Sequence, residues 1–166
     1  SFWDRVLELR IPVYLNLAGA PIGQEGYLAE LENFSKWRNR YPDIPVILPH
    51  GVPLYRFIEG GEVIIPSRVW NILYDSEAMV ELLIPIFQGS IWEYPYFEAQ
   101  DVIRQYYENL GPAMLVWGSD MPNLERHCTY KQSIDYLRNY CGFIPHHDMA
   151  RICGGNVAKL FGLLTK

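Results

Sequence analysis

The sequence contains few cysteines, and none of them form a paired motif. The 166 residues include only Cys128, Cys141 and Cys153, with no Cys-x-x-Cys spacing. An odd, scattered set of this kind is typical of reduced thiols rather than of a disulfide framework or a zinc knuckle. The cysteines therefore predict a cytoplasmic protein.

Long apolar runs and basic clusters are also missing. No stretch approaches the roughly 18 apolar residues that a membrane-spanning helix requires, and the opening segment SFWDRVLELR is charged throughout, unlike a signal peptide. The formal net charge is −5, and the sequence contains no run of lysine or arginine residues. Both features argue against a nucleic-acid partner. We expect neither a membrane nor a nucleic acid as a partner.

Two common catalytic motifs are absent as well. No glycine-rich phosphate loop follows an apolar run, so the sequence gives no support for a nucleotide site. Ser119 lies in WGSDMP, outside the G-x-S-x-G pattern of a serine nucleophile. The chemistry of the protein has to be sought in other residues.

What the chain does contain is an alternation of short apolar runs and amphipathic stretches. Its length predicts a single domain covering residues 1–166. Apolar runs bounded by turn formers predict strands at 11–17, 44–50, 69–75 and 113–119. Helical spacing predicts helices at 27–41, 96–111 and 129–142, a short helix at 53–60, and two helical pieces within 145–163. Residues 77–97 are ambiguous, with a helical start followed by a loop.

This alternation predicts an α/β fold in which helices cover a parallel sheet. Two architectures compete, a doubly wound open sheet and a β/α barrel. In both of them functional residues gather at the carboxyl ends of the strands. The four predicted strands end in polar residues, namely Asn16, His50, Asp75 and Asp120. A single polar strand end is commonly a turn former, but four together favour a shared site.

Four segments resemble a known family. WGSDMP (117–122) resembles the last-strand motif of the amidohydrolase superfamily, in its amidohydrolase-2 branch, which includes aminocarboxymuconate-semialdehyde decarboxylase. VILPHG resembles the sixth strand of that branch, NILYDSEA its seventh strand, and GGNVAKLFGL its closing segment. The order and spacing of the four segments agree with the family across nearly the whole chain.

The resemblance implies the C-terminal half of a (β/α)8 TIM-type barrel, from strand five onward. A complete barrel has about 250 residues, so the N-terminal half, with the first metal ligands of the family, is expected to lie outside these residues. Half a barrel would leave two open sheet edges. The expected partners are therefore a second copy of the chain, forming a homo-oligomer, or an N-terminal half, together with a small-molecule substrate.

Two residues match the functional positions of the family. Asp120 matches the last-strand aspartate, which implies that it binds a divalent metal, zinc above all, or takes a proton from the attacking water. His50 matches the sixth-strand histidine, which implies that it polarises the substrate or relays a proton. The alternatives from the residues alone are a turn-capping aspartate and a hydrogen-bonded turn histidine.

Other candidate residues depart from the family or carry weaker signals. Asn16 stands where the resemblance places a metal-binding histidine, and because an amide is a poor zinc ligand, we expect Asn16 to contact the substrate. Asp75 is more simply a helix-capping aspartate. Trp92 and Tyr94, in the loop before the helix at 96–111, are predicted substrate contacts in a lid or, equally, residues of an oligomer contact. Asn156 is expected to tie the last helix to the barrel.

These residues lead to three functional hypotheses. The first is a metal-dependent hydrolase of a small carboxylated or cyclic compound, with Asp120 and His50 as its catalytic residues. The second is a nonoxidative decarboxylase on the same scaffold. The third is a barrel without metal or activity, which the replacement at Asn16 favours.

Overall fold

The structure is a computed structural model that describes residues 1–17, 23–83 and 94–163. Six strands are described: β1 (Val13–Tyr14), β2 (Val46–Leu48), β3 (Ile58–Glu59), β4 (Glu62–Val63), β5 (Met79–Leu82) and β6 (Leu115–Trp117). Four of them form a parallel sheet in the order β1-β2-β5-β6. The other two, β3 and β4, form a small antiparallel ribbon.

Helices connect the strands of the sheet. They are α1 (Phe2–Leu9), α2 (Gly23–Arg40), α3 (Ser67–Ser76), α4 (Phe97–Leu110), α5 (Tyr130–Tyr140), α6 (His146–Ala150) and α7 (Asn156–Leu160). A π-helical turn, Arg151–Gly155, joins α6 to α7. Within the described ranges, no helix is long and apolar enough to cross a membrane.

The predicted parallel α/β sheet is confirmed, but the prediction of its third strand at residues 69–75 is wrong. Residues 69–75 form part of α3, and the third parallel strand is β5. The buried residues Val69, Trp70 and Leu73 follow helical spacing, so this apolar run satisfies a helix as well as a strand. Along β5 the burial alternates residue by residue, as a strand requires.

The remaining elements are close to their predicted positions. Helices occupy most of 27–41, 96–111 and 129–142, as predicted. Thr129 caps α5 through a capping box with Gln132, which satisfies backbone N–H groups at the helix start. The predicted short helix at 53–60 is only a 3₁₀ turn, Leu54–Arg56, because the chain then enters the β3–β4 ribbon.

The two faces of the parallel sheet differ in character. One face packs against the helices in the main core, since the strands contribute buried apolar residues to the same cluster as α2, α3, α4 and α5. Its strand residues include Leu48, Val80, Leu82 and Leu115. Alternation along the strands places their neighbours on the opposite face. The paired residues there are Tyr14, Ile47, Met79, Glu81 and Val116.

Asn156 fastens the last helix to the sheet, as predicted. Its side-chain amide donates to the carbonyl oxygens of Pro112 (2.7 Å) and Leu115 (2.8 Å). Asn156 is buried, and a buried amide of this kind requires such partners. The helix therefore holds the start of β6, the strand that leads to Asp120.

Candidate active site

Three of the four predicted strand-end residues lie at one end of the sheet. Asn16 and His50 each follow their strand by two residues, and Asp120 follows β6 by three. Because the strands are parallel, their carboxyl ends lie at the same edge of the sheet. Asp75 does not belong to this group, and its prediction as a strand-end residue is wrong. It lies in the last turn of α3, which leads into the amino end of β5.

His50 and Asp120 come together across two strand ends. Nε2 of His50 lies 3.9 Å from Oδ1 of Asp120, and the two side chains are 35% and 22% exposed. This separation exceeds a direct hydrogen bond, yet it lets both groups contact one small molecule. The pair therefore combines a carboxylate and an imidazole at an accessible point.

Both residues have a left-handed backbone, with φ of 68° at His50 and 52° at Asp120. Such conformations are uncommon for residues other than glycine and cost of the order of 1–3 kcal/mol each. Three other residues share the feature, namely Arg10, Glu77 and Tyr96. Those three are all helix caps. His50 and Asp120 are the strand-end cases among the described residues.

Glu81 is a site residue that the sequence analysis missed. It lies on β5, and its Oε2 accepts a hydrogen bond from the backbone N–H of His50 (3.1 Å). Its carboxylate occupies the space above Gly118, where any Cβ would overlap it. Burial raises the pKa of Glu81, and the charge of Asp120 adds to the rise, whereas the N–H and charge of His50 oppose it. An isolated glutamate inside the apolar run AMVELL was the available signal.

A tyrosine holds the residues after His50. The hydroxyl oxygen of Tyr106, on α4, accepts a hydrogen bond from the backbone N–H of Val52 (2.6 Å). A Cβ at Gly51, where φ is 58°, would lie 2.7 Å from the same hydroxyl. The turn at residues 50–52 is therefore fixed from two sides, by Glu81 and by Tyr106.

The predicted aromatic substrate contacts are Trp92 and Tyr94. Trp92 lies outside the described residues. Tyr94 packs edge-on against Tyr96 and Tyr140, with ring centroids 5.6 Å and 6.1 Å apart. Tyr140 is the last residue of α5, so Tyr94 contacts the end of that helix. These contacts make Tyr94 part of an aromatic cluster.

The side chains at the strand ends suit a metal ion unequally. The carboxylate of Asp120 suits a divalent cation, whereas the exposed amide of Asn16 suits zinc poorly. Among residues 1–17, 23–83 and 94–163, no group of three or more His, Cys, Asp or Glu residues could hold a metal. These residues do not form a complete metal centre by themselves, and a metal at Asp120 would need ligands from elsewhere.

The parallel strands, covering helices and polar strand ends are typical of an α/β fold of the partial TIM-barrel type. A model of the amidohydrolase family matches residues 1–163, and the chain belongs to that family. A comparison with curated proteins gives no match.

Solved structures agree on the fold. An amidohydrolase from Burkholderia multivorans with bound zinc matches with a TM-score of 0.70 and 14% identity, over 97% of this chain and 57% of its own. A dihydroxybenzoic acid decarboxylase from Polaromonas sp. JS666, with bound manganese and an inhibitor, matches with a TM-score of 0.61 and 15% identity, over 99% and 54%. A probable 2-pyrone-4,6-dicarboxylic acid hydrolase from Acinetobacter baumannii matches with a TM-score of 0.61 and 16% identity, over 98% and 69%. The chain thus spans about half the length of the first two.

Proposed function

We propose that the protein containing this chain is a hydrolase of the amidohydrolase type that acts on a small carboxylated or cyclic compound. The observation that carries the proposal is the His50–Asp120 pair, 3.9 Å apart at the carboxyl end of the sheet. In this family fold the strand ends form the site. Asp120 takes a proton from the attacking water and His50 polarises the carbonyl group of the substrate.

The names of the similar structures support the class of substrate. Dihydroxybenzoate and 2-pyrone-4,6-dicarboxylate, in the names of two of them, are both rings that carry carboxylates. Asn16 lies at the same strand ends as the catalytic pair, and its amide is proposed to orient such a substrate by hydrogen bonding. Trp92 and Tyr94 remain predicted substrate contacts.

A divalent metal belongs to the proposal only if other parts of the protein supply ligands. Two similar structures hold zinc or manganese, and Asp120 is the residue of this chain that would contribute a carboxylate. A bound zinc ion lowers the pKa of its water to about 7. Metal analysis of the purified protein, with Asp120→Asn beside it, tests this part separately from turnover.

The second candidate is a nonoxidative decarboxylase. The observation in its favour is that a dihydroxybenzoate decarboxylase and a 5-carboxyvanillate decarboxylase share the fold, the latter with a TM-score of 0.58. Loss of CO₂ from a ring requires a proton to be delivered to the carbon that loses it. His50 is the group of the pair that suits this delivery.

The test uses the purified protein that contains this chain, with 2-pyrone-4,6-dicarboxylate and 2,6-dihydroxybenzoate as probes and added Zn²⁺ or Mn²⁺. Ring opening without CO₂ supports the hydrolase, and CO₂ release supports the decarboxylase. His50→Asn and Asp120→Asn should each lower kcat by about 10²–10⁴-fold, the usual contribution of a positioned acid or base. His146→Asn is the control, because His146 is exposed. Turnover that survives both site variants would refute the assignment, and no turnover with any probe would favour a non-catalytic barrel.

A further inference from the structure

Glu81 is a partly buried carboxyl group that the proposed chemistry leaves unused. It lies on β5, the strand between those that lead to His50 and Asp120. The register pairs Glu81 with Val116, so its side chain lies on the face opposite the helix-packed core. Its carboxyl group therefore lies between the strand that leads to His50 and the strand that leads to Asp120.

The carboxylate of Glu81 is held at two points far apart in the sequence. Oε2 accepts from the N–H of His50 at 3.1 Å. Gly118 lies beneath the same carboxylate, and a side chain there would overlap it. Gly118 precedes Asp120 by two residues, so one carboxylate contacts the segments that carry both members of the pair.

His50 needs such a partner because its backbone is left-handed, with φ of 68°. A non-glycine residue keeps this conformation only where surrounding contacts enforce it. On the far side of the turn, Tyr106 accepts from the N–H of Val52 at 2.6 Å. Glu81 supplies the corresponding contact at His50 itself.

We propose that Glu81 is a positioning residue that fixes the His50 turn and thereby directs the imidazole towards Asp120. As far as it concerns catalysis, this inference rests on the proposed function. Glu81 need not touch the substrate, because it acts through the backbone of His50. The close packing over Gly118 fixes the position of the Glu81 carboxylate relative to the end of β6.

The test compares two replacements of similar length in the protein that contains this chain. Glu81→Met removes the acceptor, whereas Glu81→Gln keeps an oxygen that accepts from the N–H of His50. Glu62→Met is the matched control, because Glu62 is an exposed strand residue on β4. NMR measures the hydrogen-exchange rate of the His50 backbone amide and the carbon–proton resonances of its imidazole ring. The exchange rates of the β2 amides are measured in the same experiments.

We expect the amide of His50 to exchange about 10- to 100-fold faster in Glu81→Met, as loss of a hydrogen bond to a charged group implies. The imidazole resonance of His50 should move in that variant. Glu81→Gln and Glu62→Met should leave both signals close to the parent, and the β2 amides should be unchanged throughout. Unchanged exchange and resonance in Glu81→Met would overturn the inference.

If Glu81→Met does not fold, Gly118→Ala displaces the same carboxylate without removing it and should give the same two changes at His50. With a probe that the parent protein turns over, Glu81→Met should lower kcat with little change in KM, and Glu81→Gln should restore it. An unchanged kcat would overturn the positioning role. A parent protein without turnover counts against the proposed function alone, since the NMR comparison still decides whether Glu81 directs His50.

Discussion

Replacing Asn156 by alanine tests how the last helix supports the strand that leads to Asp120. The side-chain amide donates two hydrogen bonds, at 2.7 Å to Pro112 and 2.8 Å to Leu115, from a buried position. Each such bond contributes about 0.5–1.5 kcal/mol, and a buried acceptor left without a partner costs about 1–3 kcal/mol. We therefore expect Asn156→Ala to lower the free energy of unfolding by about 2–4 kcal/mol.

The assay is denaturant and thermal unfolding of the protein that contains this chain. For a domain of this size 1 kcal/mol corresponds to about 2–4 °C in Tm, so a loss of roughly 4–16 °C is expected. Asn71→Ala is the control, because Asn71 is exposed on α3, and it should stay within about 0.5 kcal/mol of the parent.

A second variant separates the hydrogen bonds from the packing. Asn156→Asp keeps the shape of the side chain but replaces the donor by an acceptor that faces two carbonyl oxygens. It should destabilise at least as much as Asn156→Ala, since a buried charge without donors is costly. If Asn156→Ala behaves like Asn71→Ala, the hydrogen bonds do not stabilise the end of the chain and the reasoning is refuted.

Three further predictions concern reactivity, pH and assembly. Burial raises the pKa of Cys141 to about 12, so at about pH 8 iodoacetamide should label it more slowly than the less buried Cys153; equal rates in the folded protein would contradict this, and denatured protein is the control. Burial raises the pKa of Glu81, so the protonated side chain contributes stability at pH values below the ordinary glutamate pKa, and this contribution is lost as the pH rises through the raised pKa. Glu81→Gln should therefore be more stable than the parent at about pH 7 and should lose that advantage at about pH 3. Unfolding measured at both pH values tests this. The 166 residues purified alone should associate, because β1 and β6 are edge strands of the described sheet; a stable monomer in light scattering would contradict this.

The strand ends that matter most were predictable from local pattern. Around Asn16, His50 and Asp120, a short apolar run meets turn-forming residues, and both signals depend only on neighbouring positions. The same local logic failed at residues 69–75, where Val69, Trp70 and Leu73 fit a helix equally well. Nothing within that segment decides between the two; the packing of α3 against α2 and α4 does.

The role of Glu81 is difficult to predict from sequence for a different reason. Its hydrogen-bond partner is 31 positions earlier in the sequence, and the glycine beneath it is on another strand. A glutamate between apolar residues suggests a helix surface as readily as a strand. The contacts of Glu81 with both strand ends depend on the strand order, in which β5 lies between β2 and β6.

The proposed site coincides with residues whose conformation or burial is energetically unfavourable. His50 and Asp120 adopt left-handed backbones outside any helix cap, and Glu81 is a carboxylate whose pKa is raised by burial. Each feature is unfavourable by itself, and contacts or electrostatic coupling connect all three. Near the other end of β6, where Leu115 begins the strand, the side-chain NH2 group of the buried Asn156 donates two hydrogen bonds to carbonyl oxygens. Unfavourable features that gather at one end of a sheet are typical of functional sites, and this supports the proposed site at these strand ends.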